Sequence, residues 1–403
     1  MQDKKSIYLI TTITSLLMIA IFIMVHVIAE STDKSRESIT VGFIYDGDES
    51  TPYTANLIKA QKAVELKYGD RVKVIVKSNV HSKDGGEQAM KELIAENCDL
   101  IFTTSFDYGE TAKRLAGENP EIQFCQASCT NANDDPVCEN YHTFMGEIYE
   151  GRYASGVIAG MKLKEMIAKG TITKEQAKVG FVAAYPYAEV ISGYTAFFLG
   201  VRSEVPEAVM EVKYTNTWSG YSIEKKCADE LIDRGCVIIS QHTNTTAPAV
   251  ACEERYDEKT VYHVGYNQSM IDMAPTTSLV STRINWEPYM SGAVDAVLQN
   301  KKIEKCVKGH VHGNDIGAGF DEGWVDMLEL NSYIAADGSK ERLEKLEKEF
   351  SKGKIEVFKG NYVGVDPFDE KNTCDLSKGY KENEKSSAPT FNYVLKDVIT
   401  VVE

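Results

Sequence analysis

Apolar and polar positions along this chain fall into a repeating strand–helix rhythm. VGFIYD (41–46) is a short apolar run that enters an acidic, glycine-containing turn. Residues 52–68 follow with helical spacing, placing Leu57, Ala60, Val64 and Tyr68 on one face. VKVIV (72–76), DLIFTTSF (99–106) and EIQFC (121–125) read as further strands, with a helix at 84–96 after the first. A long helical pattern at 146–167 interrupts the series. It resumes with KVGFVAAY (178–185), VMEVKY (209–214), CVIIS (236–240) and VYHVGY (261–266), separated by helices at 188–204, 221–234 and 246–255.

Unbroken apolar strands, each followed by an amphipathic helix, predict parallel sheets covered on both faces. Two such series predict an α/β protein of two doubly wound lobes. Lobe one is expected from 39–145 and 283–312, and lobe two from 146–282 and 313–360, with several strands crossing between them as a hinge. Residues 361–403 form a C-terminal extension, polar up to Pro389 and closing on the apolar FNYVLKDVITVVE, a run expected to pack onto a lobe.

Ahead of the lobes, residues 7–28 carry no charge apart from His26, and Lys4 and Lys5 precede them. At about 1.5 Å per residue this run is long enough for a ~30 Å hydrocarbon core. The basic side stays cytoplasmic, so the rest of the chain is expected outside the membrane. Residues 1–38 thus read as an anchor or signal segment plus linker. Val27 and Ala29 offer small residues for cleavage before Glu30, which gives a secreted rather than an anchored protein.

The net charge of −16 repels phosphate backbones and argues against nucleic acid as a partner. Nine cysteines leave at least one unpaired. Cys129 and Cys138 flank a polar loop that a disulfide would close, and Cys98 and Cys236 precede apolar strands as buried thiols. Cys125, Cys129, Cys138 and His142 have no zinc-like spacing, so no metal is expected. There is no G-x-S-x-G elbow, no H-E-x-x-H and no phosphate-binding G-x4-G-K-[ST], so neither catalysis nor a cofactor is expected.

In doubly wound sheets ligands bind beyond the carboxyl ends of the strands. The loops there carry Tyr45, Asp46, Tyr53, Phe106, Tyr185, Trp218, His242, Thr243, Asn244, Asn267, Asn285 and Trp286. Aromatic faces among neutral amides and a few carboxylates suit a flat heteroaromatic ligand with N–H donors.

Those loops, read in order, resemble the basic membrane protein family of substrate-binding proteins, which includes purine nucleoside receptor lipoproteins of ABC transporters. The strongest stretches are DLIFTTSFDYGETAKRLA (99–116), EIYEGRYASGVIAG (147–160), VGFVAAYPYAEVISGYTAFFLGVRS (179–203), ISQHTNTTAPAVACEE (239–254) and VGYNQSM (264–270). The resemblance implies a type I periplasmic-binding-protein fold, a purine nucleobase or nucleoside ligand, and an ABC permease as partner to a monomeric receptor. It places the family's two stacking aromatics on Tyr53 and Trp218. It also replaces an acidic position by Asn267 and a lysine by Asn285. Both replacements remove charge, and with Trp286 they favour a free base over a nucleoside. The alternative function is a membrane-anchored sensor that signals through a partner chain.

Overall fold

The computed structural model describes residues 35–403 apart from position 82, with Met18 alone ahead of them. The apolar run 7–28 otherwise lies outside the described residues. Among these, no helix is long and apolar enough to cross a membrane.

Lobe one begins with β1 (Ile39–Ile44), α1 (Pro52–Tyr68), β2 (Val72–Lys77), α2 (Lys83–Ala95), β3 (Leu100–Thr103), α3 (Gly109–Glu118), β4 (Gln123–Ala127) and β5 (Tyr141–Gly146). The chain then crosses into α4 (Tyr149–Ala168) and lobe two: β6 (Lys178–Ala183), α5 (Ala188–Glu204), β7 (Val209–Tyr214), α6 (Tyr221–Asp233), β8 (Ile238–His242), α7 (Ala247–Arg255), β9 (Tyr262–Tyr266) and β10 (Ser278–Ile284). A second crossing leads to α8 (Glu287–Leu298), α9 (Ile303–Cys306), β11 (His310–His312) and β12 (Asp315–Ala318) of lobe one. A third returns to β13 (Val325–Met327) and α10 (Ser339–Phe350), followed by β14 (Val363–Asp366), β15 (Asp369–Asp375), β16 (Val394–Leu395) and β17 (Ile399–Val402).

The lobe-one sheet has the order β11-β12-β5-β4-β3-β1-β2 and the lobe-two sheet β13-β10-β9-β8-β6-β7-β17. Only β11 and β13 run antiparallel to their neighbours. Every residue of β3, β8 and β9 is buried, as strands covered on both faces require. In lobe two, α4 and α5 meet backbone to backbone. A Cβ on Gly156 would lie 1.9 Å from the Phe197 carbonyl oxygen, and one on Gly200 would lie 2.2 Å from that of Tyr153. Only glycine permits this approach.

Two expectations are corrected. β12 pairs with β5 of lobe one, although residues from 313 onward were assigned to lobe two. Its parallel pairing extends the lobe-one sheet before the chain crosses back. The apolar end of the extension packs onto a lobe, as expected. β17 lies parallel to β7 and completes the lobe-two sheet, while β14, β15 and β16 form a separate antiparallel sheet. Between them, Ser387 returns to lobe one, where its N–H and hydroxyl donate to Asp315 at 2.6 Å each. Finally, all nine cysteines are free thiols. The expected Cys129–Cys138 bridge is absent because the two sulfurs sit at opposite ends of α3, beside Gly109 and Gly117. Those glycines are separated by about 12 Å of helix. Cys98 and Cys236 are buried.

Candidate functional site

Both sheets aim their carboxyl-terminal ends at one cleft. The cavity there encloses about 530 Å³ of empty space, part of it open to solvent. Lobe one contributes Asp46 after β1, Tyr53 from the first turn of α1, Thr104, Ser105 and Phe106 after β3, and Ser128 after β4. Lobe two contributes Glu189 from the first turn of α5, Trp218 after β7, His242 and Asn244 around the end of β8, and Tyr266 at the end of β9. Ile284 lines the cavity at the second crossing.

The local structure fixes these side chains. Tyr53 donates its hydroxyl to the Thr104 carbonyl at 2.7 Å, which pins the ring to the β3 loop. The Asn244 N–H donates to the Trp218 carbonyl at 2.8 Å and ties two lobe-two loops together. Tyr185 and Tyr187 stack on each other with centroids 5.2 Å apart and flank Trp218 at 5.4 and 6.1 Å. Burial raises the Asp46 carboxyl above its ordinary value. His242 lies with Nε2 3.4 Å from Glu189 Oε1, and its buried Nδ1 has no partner. Burial, then the charge of Arg152, push its imidazole towards the neutral form.

Of the residues expected at the site, Asp46, Tyr53, Phe106, Trp218, His242 and Asn244 line this one cavity. Tyr185 stands beside it through its contact with Trp218. Thr243 is buried, its hydroxyl accepting from Gln241 Nε2 at 3.3 Å. Asn267 is buried in a left-handed conformation, φ 67°, with neither side-chain polar atom partnered. Three residues are displaced from the expected role. Tyr45 is fully buried in the lobe-one core, its hydroxyl donating to Gln61 at 2.9 Å. Trp286 is 1% exposed and packs edge-on behind Tyr53 and against Phe144. Asn285 faces a different groove, with its Nδ2 donating to the Gly323 carbonyl at 3.0 Å. Their places beside strand ends did not reveal which way each side chain points.

Glu189 and Tyr266 line the cavity without having been singled out from the sequence. Glu189 lies in AYPYAEV, where the aromatics drew the reading although a strand-to-helix junction also presents its first-turn residues to the cleft. Tyr266 closes a strand that reads as purely structural.

Two doubly wound lobes, joined by three crossings and sharing one aromatic cavity, define a two-lobed solute-binding protein. The chain belongs to the Bmp family, described as ABC transporter substrate-binding protein PnrA-like, whose profile matches residues 38–358. It is 29% identical over 327 residues to a purine-binding protein of Brucella abortus, covering 81% of this chain and 85% of that one. It is 26% identical over 303 residues to a protein of Haloferax volcanii named as an ABC transporter glucose-binding protein, covering 75% of this chain and 69% of that one. A solved ABC transporter solute-binding protein from Aeropyrum pernix shares the fold with a TM-score of 0.63 at 15% identity, covering 79% of this chain and 92% of that one. The family and fold are those of solute-binding proteins, not enzymes.

Proposed function

We propose that the cleft binds a purine nucleobase or nucleoside outside the cytoplasmic membrane and presents it to an ABC permease. The observation that carries this reading is the meeting of Tyr53 and Phe106 from lobe one with Trp218 from lobe two around one cavity. Flat rings gain most from aromatic faces of this kind. Around them, the Asp46 and Glu189 carboxylates accept hydrogen bonds, while Asn244 and His242 offer both donor and acceptor atoms. A purine carries alternating donors and acceptors on its edge and matches that lining. The purine-binding relative from Brucella abortus supports the same class.

The base and the nucleoside both remain within this reading. Trp286 and Asn285 do not line the cavity, so they do not shrink the space for a sugar. Asp46 and Glu189 supply acceptors suited to ribose hydroxyls as well as to ring N–H groups. Calorimetric titration with adenine, guanine, hypoxanthine, xanthine and their nucleosides tests the class, with glucose and other sugars as the rival arm. Saturable binding of a purine is expected; binding confined to a sugar would overturn it.

A further inference from the structure

One side chain behind the cleft is out of keeping with its surroundings. Arg152, in the first turn of α4, is fully buried. Its guanidinium carbon lies 3.6 Å from the centroid of the Tyr266 ring, and Nη1 donates to the Gln241 carbonyl at 2.8 Å. Nε and Nη2 have no partner, and no carboxylate forms an ion pair with it among the described residues. Burial lowers its pKa to about 10. A buried cation with no carboxylate in direct contact is costly, the attraction of Glu189 offsetting only part of the burial, and an apolar side chain of similar size would be cheaper. Stability alone therefore does not account for an arginine here. Its contacts do, because they fall on the ends of the two strands that carry Tyr266 and His242 to the cavity.

We propose that Arg152 is a positioning residue for the ligand: stacked beneath Tyr266 and bonded to the carbonyl just before His242, it holds the lobe-two wall of the cleft in binding geometry. The role rests on the cleft being the ligand site. Arg152 also belongs to the first helical turn after the first crossing, its N–H making the ordinary helical bond to the Ile148 carbonyl at 2.9 Å. A second effect follows from its charge. The groups facing His242 are Glu189 from α5, Arg152 from α4, the Tyr266 ring at 4.9 Å and the Trp218 ring at 6.4 Å. Of these, Glu189 favours the imidazolium and Arg152 opposes it. A neutral His242 keeps one ring nitrogen free to accept a hydrogen bond.

The test uses Arg152→Met and Arg152→Lys alongside the wild type. Histidine NMR on ligand-free protein reads the His242 titration, and calorimetry reads the affinity for the best purine between about pH 5 and pH 8. Arg152→Met is expected to raise the His242 pKa, weaken binding at least about tenfold and make the remaining affinity fall as the pH falls. Arg152→Lys lacks the planar fork, so it is also expected to weaken binding. An unchanged His242 titration in Arg152→Met, or wild-type affinity in Arg152→Lys, would overturn the positioning role. If the wild type binds no purine, the functional reading fails on its own, and the ligand-free titration still decides the part of Arg152.

Discussion

Two tryptophans show how residues of one type divide between ligand and core. Trp218 is half-buried on the cavity wall, whereas Trp286 is buried behind Tyr53. Trp218→Ala is expected to weaken purine binding by about 1–3 kcal/mol, the scale of a lost ring stack, with little change in melting temperature. Trp286→Ala is expected to cost about 3–5 kcal/mol of stability, the scale of emptying a buried aromatic site. Calorimetry and thermal melts on both variants check the division; a large melting loss in Trp218→Ala with unchanged affinity would place Trp218 in the core. The sequence showed that aromatics gather at strand ends, because strand ends are legible from periodicity. It did not separate Trp218 from Trp286, or Asp46 from Tyr45, because adjacent residues at a loop entrance point in different directions. Arg152 was invisible for a related reason. It sits inside a helix whose apolar pattern declares packing, and its contact with Tyr266 joins distant parts of the chain.

At the scale of elements, most helices and strands were legible, because each is a long apolar pattern closed by a turn. The helix expected at 188–204 matches α5 residue for residue. Less legible were elements whose partners lie far away. β12 is a four-residue strand, DIGA, whose sheet is set by pairing with β5. Its Asp315 accepts from Thr143 and from Ser387 of the extension, and all three side chains are buried. Ser387→Ala is expected to cost about 1–3 kcal/mol, as for a lost hydrogen bond to a buried charged group, measured by chemical denaturation. An unchanged unfolding midpoint would show that the extension adds nothing at this contact. Near the crossings, His310 of β11 links Glu147 at 2.6 Å and Asp321 at 3.1 Å. Hydrogen bonds to Asp321 and Glu147 raise its pKa from 6.5 to about 10. A cation favoured in the folded state stabilises it fully below the unfolded value, and the gain is lost as pH rises through the folded one. The melting advantage of wild type over His310→Gln should therefore be largest below about pH 6.5 and shrink towards pH 10. A difference that stays constant across that window would exclude the ion pairs as its source.

For the molecule as a whole, cavity residues come from both lobes, so a ligand binds best when the lobes approach. A purine at a hundredfold excess over its Kd is expected to stabilise the folded protein by about 2.7 kcal/mol, seen as a rise in melting temperature. Small-angle scattering should show a smaller radius of gyration with ligand than without; equal radii would mean that binding does not draw the lobes together. The outermost strand of lobe two has a different consequence, one that concerns how the protein is made. β17 pairs with β7, from Ile399 opposite Met210 to Val402 opposite Lys213, yet it is translated after every other strand of that sheet. While the ribosome works through α10 and the small β14–β15–β16 sheet, β7 presents a bare row of hydrogen-bonding groups to whatever else is nearby. The nascent chain thus carries an adhesive margin for much of its synthesis, and a ribosome that stalls before residue 399 leaves that margin uncovered for chaperones or neighbouring chains to find.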